Sequence, residues 1–123
     1  MCWKSLATIT ATFLILDGIY FFVNNSFFKK TVQAVQKSPV NPRYIAAAIT
    51  YVFLVAIEYY FIIMQKRKAK DAFLLGMGIY GVYELTNYAT LTNWPLYLVL
   101  MDTLWGGVLF ASATCMVLYG FKV

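Results

Sequence analysis

Of 123 residues, 62% are apolar and 19% aromatic, while only 12% are charged. A water-soluble fold of this length could not hide so much apolar surface, so the composition predicts an integral membrane protein with one transmembrane domain over 1–123. Ten Lys/Arg stand against five Asp/Glu, but the basic residues lie between or outside the apolar runs, where they meet membrane lipids and set topology; no groove-reading motif accompanies them, and nucleic acid is not an expected partner.

The first apolar run, Leu6 to Val23, has the roughly 18 residues needed to cross a hydrocarbon core of about 30 Å as a helix. It carries Asp17 and ends in Tyr20-Phe21-Phe22, unlike a cleaved secretory signal, so it reads as a retained span. Between Asn24 and Arg43, Phe27, Phe28, Val32 and Val35 recur at near-helical spacing with Lys29, Lys30, Gln33 and Lys37 among them. That pattern suits either an interfacial helix over 27–37 or a solvated loop, with Pro39 and Pro42 as its stop. Asn24-Asn25-Ser26 matches a glycosylation sequon, but so close to the membrane it reads as chance.

Tyr44 to Met64 forms the second predicted span and contains Glu58. A tight basic turn follows with Lys66, Arg67, Lys68 and Lys70, a membrane-surface feature. The third span covers Ala72 to Leu91, and Asn93-Trp94-Pro95 turns the chain into the fourth, Leu96 to Tyr119. So short a turn makes these two spans antiparallel neighbours, and the expected fold is all-α, a four-transmembrane antiparallel helix bundle. Lys4, the basic turn and Lys122 outnumber Lys29, Lys30, Lys37 and Arg43 by six to four, which places both termini on the cytoplasmic or matrix side.

Each predicted span holds a carboxylate and none holds a Lys or Arg to pair with it. At about 1.5 Å per residue, Asp17, Glu84 and Asp102 fall roughly 18–21 Å from the terminal side, one level of the bilayer. Asn87 follows Glu84 by three residues on a face that Tyr80 and Tyr83 extend, with Thr86 beside it. Tyr20 follows Asp17 by three, and Trp105 and Gly106 follow Asp102 by three and four, so each acid is expected to have a ring donor beside it. Glu58 lies near enough to the basic turn for Lys66 or Arg67 to reach it. The cluster of Asp17, Tyr20, Tyr80, Tyr83, Glu84, Thr86, Asn87, Asp102 and Trp105 has two readings. It is either interhelical hydrogen-bonding glue, worth roughly 0.6 kcal/mol per interaction, or a proton or cation site.

Other chemistry loses its usual groups. With no histidine, and with Cys2 and Cys115 isolated at opposite ends, zinc, haem and His-based catalysis are not expected, nor is any cofactor. Gly76-Met77-Gly78-Ile79-Tyr80-Gly81 matches a dinucleotide fingerprint, but it lies inside a span rather than between a strand and a helix, so its small residues instead permit close helix approach. No Ser, Cys or Lys has an activating partner, and no enzyme activity is expected.

Tyr80-Gly81-Val82-Tyr83-Glu84-Leu85-Thr86-Asn87, then Thr90-Leu91, Trp94-Pro95 and Asp102-x-x-Trp105-Gly106, resemble the small membrane proteins grouped as domain of unknown function 2177. The likeness covers nearly the whole chain, with Asp17 resembling that family's first-helix acid. The family pattern has aspartate at position 84 and tryptophan at position 20; this chain has Glu84 and Tyr20, a longer acid and a weaker donor. The resemblance implies four membrane helices with polar residues buried at one level and no established activity. The expected role is a non-catalytic accessory or assembly unit of a membrane complex or oligomer; the alternative is a small oligomeric proton- or cation-coupled transporter or channel.

Overall fold

A computed structural model describes residues 3–38 and 43–120; Cys2, Pro39, Pro42 and Lys122 lie outside them. The described residues form α1 (Trp3–Val23), α2 (Asn25–Gln36), α3 (Tyr44–Glu58), a π-helical continuation of α3 (Tyr59–Ile63), α4 (Ala69–Thr90) and α5 (Leu96–Gly120), with no strand among them. Three stretches are long and apolar enough to cross a membrane: Trp3–Val23, Tyr44–Ile63 and Leu96–Tyr119. α4 is as long but more polar, carrying Lys70, Asp71, Glu84 and Asn87. The segment after α1, open between helix and loop in the sequence, is helical over Asn25–Gln36.

Lipid tails are as apolar as leucine, so these helices associate by close packing and interhelical hydrogen bonds rather than by the hydrophobic effect. The most extensive contact is α4 against α5, and glycines allow it. A Cβ on Gly76 would strike the Gly106 carbonyl, and one on Gly106 would strike the Tyr80 ring and the Gly76 carbonyl. Within the fingerprint-like Gly76–Gly81 stretch, Gly76 and Gly81 therefore lie on the helix-packing face. α1 packs against α5 and against α3. Its Ile9 and Phe13 enter a buried cluster with Leu54, Ile62, Phe110 and Val117, within which the Phe13 and Phe110 rings stack at 5.1 Å.

α2 lies across the end of the bundle where α1 stops and α5 begins. The Asn24 side-chain amide donates to the Tyr20 carbonyl at 2.9 Å, fixing the joint between α1 and α2. Phe28 packs edge-on to Tyr20 at 5.7 Å and Phe27 to Tyr97 at 5.7 Å. In the α4–α5 turn Asn93 adopts a left-handed backbone, φ 66°, which asparagine tolerates better than most residues. From there its side-chain amide donates to the Ala34 carbonyl of α2 at 3.1 Å.

Candidate functional site

Three acids from three helices turn inward at the end that α2 covers. Asp17 is 4% exposed, Glu84 1% and Asp102 8%. Both oxygens of Asp17 accept bonds from other helices: the Tyr51 hydroxyl of α3 donates to Oδ2 at 2.5 Å, and the Trp105 indole of α5 donates to Oδ1 at 2.7 Å. Tyr20 of α1 donates to Asp102 Oδ1 at 3.1 Å. Trp94, in the turn before α5, donates to Glu84 Oε1 at 2.9 Å. The Glu84 carboxyl also neighbours that of Asp102; a hydrogen bond between two carboxyl groups would need a proton on one of them.

The donors are crossed. Three-residue spacing predicts Tyr20 for Asp17 and Trp105 for Asp102, but each aromatic serves the acid of the other helix. The spacing fixes only a shared face; a ring donor sits too far from its own backbone to fold onto a carboxyl one turn away, and it reaches across the helix interface instead. The crossing brings the Tyr20 and Trp105 rings together, stacked at 4.4 Å with planes 2° apart.

Not all the expected members join. Tyr80 is half-buried, and it packs against Gly106 rather than bonding an acid. Tyr83 is 59% exposed and Thr86 is also exposed; two residues along a helix is about 200°, so Thr86 points away from the face of Glu84. Asn87 is half-buried and makes none of the bonds above. Tyr51 and Trp94 are donors that sequence reasoning missed. Tyr51 had one signal, its seven-residue spacing to Glu58 on a shared helical face.

Glu58 is corrected as well. It meets no Lys or Arg of the basic turn, where Lys66, Arg67, Lys68 and Lys70 are all exposed and Arg67 faces Asp71 at 3.7 Å. Glu58 is instead 0% exposed and sits 2.9 Å from the Thr114 hydroxyl of α5, with Oε2 buried and without a partner among the described residues. The same hydroxyl is 2.9 Å from the Phe110 carbonyl, so one hydrogen is divided between two acceptors. Thr114→Val removes the only donor to Glu58 among the described residues and is expected to lower stability by roughly 1–3 kcal/mol. Adding Glu58→Met should restore most of that loss in detergent-micelle unfolding; equal losses in the single and double variants would discount the pairing.

Among the described residues no three Cys, Asp or Glu side chains gather into a metal-binding group. The acids form a chain of pairs from Tyr51 through Asp17, the Tyr20–Trp105 stack, Asp102 and Glu84 to Trp94. Such a chain ties α1, α3, α4 and α5 at one level. No curated protein and no solved structure matches the sequence. The crossed acid–aromatic pairs on α1 and α5 fall on the motifs that carry the family resemblance, and the model of the predicted membrane proteins DUF2177 matches residues 2–119: the chain belongs to that family.

Proposed function

We propose that this protein is a non-catalytic accessory or assembly unit of a membrane complex or homo-oligomer, with α4 as a fourth membrane-spanning helix and both termini on the cytoplasmic or matrix side. The observation that carries the reading is the use of Asp17: both its oxygens are taken by donors from two other helices, as befits a group that holds helices together. The outer faces are rich in large apolar side chains, including Trp3, Phe22, Tyr44 and Ile45, and these suit lipid or neighbouring subunits. The length of α4 and its antiparallel packing on α5 support the fourth span, and the dense basic turn supports the orientation.

Extraction in native lipid particles tests this directly. The expected particle contains protein mass well above one 14.0 kDa chain, as copies of itself or other subunits; a lone monomer would overturn the proposal. The Glu84–Asp102 carboxyl pair favours a second reading, a small oligomeric proton- or cation-coupled transporter or channel. Glu84→Gln separates the two. An assembly unit keeps its partners and passes no current before or after the change, whereas a transporter reconstituted in proteoliposomes loses proton or cation flux while keeping its helices.

A further inference from the structure

An open groove of about 800 Å3 runs between α1 and α5, lined by Thr8, Ala11 and Thr12 on one side and Ala111 and Ser112 on the other, with Phe73 of α4 also contributing. Its walls are almost wholly apolar. The direction of the helices places charge at one end of it. Asp17 and Tyr20 pair with Trp105 and Asp102, so α1 is antiparallel to α5; Gly76 meets Gly106 while Gly81 faces Thr103, so α4 is antiparallel to α5 too. The starts of α1 and α4 therefore lie at the same end of the bundle as the end of α5.

Lys4 precedes the groove residue Thr8 by one helical turn, and Lys70 precedes Phe73 by three residues. Both lysines are exposed, and the ion pair found among the described residues, Arg67 with Asp71, engages neither. We propose that the groove is a binding site for an anionic phospholipid, with one acyl chain between α1 and α5 and the phosphate headgroup between Lys4 and Lys70. The volume is within the range of sites that bury a ligand of this bulk, and an acyl chain asks nothing of apolar walls. Charge decides the headgroup: two uncompensated ammonium groups at the mouth favour net negative lipid over zwitterionic lipid. A second copy of this chain laid in parallel would instead bring its own lysines to the same end.

Native mass spectrometry of the full chain in detergent micelles tests the site, using dioleoyl phosphatidylglycerol and dioleoyl phosphatidylcholine, which share their acyl chains. The expected result is one retained phosphatidylglycerol, bound roughly tenfold more tightly than phosphatidylcholine. Lys4→Gln with Lys70→Gln should erase the preference, while Lys29→Gln with Lys30→Gln, at the opposite end of the bundle, should keep it. Ala111→Leu, which narrows the groove, should weaken both lipids. Glycerol phosphate in excess should not displace the lipid, since the headgroup alone forgoes the groove. Equal binding of the two lipids, a preference that survives loss of Lys4 and Lys70, or displacement by glycerol phosphate overturns the proposal. The lysines are solvent-exposed, so their variants fold whatever Ala111→Leu does.

Discussion

Gly76→Ala weakens the protein sharply while Gly78→Ala, two residues along the same helix, leaves it unchanged or slightly firmer. A Cβ at Gly76 would run into the Gly106 backbone, its carbonyl carbon at 2.8 Å and the carbonyl oxygen closer still, whereas nothing lies within 4 Å of a Cβ at Gly78. Backbone cannot step aside as a flexible side chain does, so α4 and α5 must separate along much of their contact. Overpacking of this kind costs roughly 3 kcal/mol, the upper end of its usual range. At Gly78 the change only improves helix propensity, by up to about 1 kcal/mol. Gly106→Ala should match Gly76→Ala, because its Cβ would lie 2.6 Å from the Gly76 carbonyl oxygen. Unfolding in mixed micelles with rising dodecyl sulfate, followed by circular dichroism, reads the difference, and similar midpoints for Gly76→Ala and Gly78→Ala would refute close backbone approach as the basis of the α4–α5 pair.

Asp17→Leu is expected to cost roughly 2 kcal/mol, and Asp17→Asn clearly less. Leucine fills the space but leaves the Tyr51 hydroxyl and the Trp105 indole without an acceptor, and an abandoned buried donor costs about 1–3 kcal/mol. The membrane scale of roughly 0.6 kcal/mol per bond sets the lower bound, about 1 kcal/mol for two bonds. Asparagine keeps one oxygen and so one of the two bonds. A double-mutant cycle isolates the coupling: Tyr51→Phe should weaken the wild-type chain yet add almost nothing on top of Asp17→Leu. Full additivity would mean that the 2.5 Å contact contributes no stability. Trp105 emission should shift in Asp17→Leu and stay put in Thr114→Val, because only the first change removes its partner.

Much of this arrangement is legible in one dimension. That Asp17, Glu84 and Asp102 share one level of the bundle follows from rise per residue and from a turn too short for anything but antiparallel neighbours. What could not be read is pairing. Helical spacing assigns Tyr20 and Trp105 to faces, but the reach of their rings selects the partner, and that depends on interhelical distance. Thr86 was readable and was misjudged by adjacency, since a neighbour in sequence lies far round the helix. Tyr51 is one of ten tyrosines; its seven-residue spacing to Glu58 marks a shared face but does not name Asp17 as its acceptor. Nearness to charge assigns Glu58 to the basic turn, yet it is fully buried and bonded by Thr114 of α5.

The exchange of partners between α1 and α5 bears on how the chain is made. Tyr20 awaits a residue 82 positions downstream, and Asp17 awaits one 88 positions downstream. During synthesis the leading helix therefore carries a half-satisfied acid until the trailing helix arrives, with Tyr51 as its interim donor. A chain terminated before Asp102 would leave Tyr20 without its acceptor and Asp17 with Tyr51 in place of two donors.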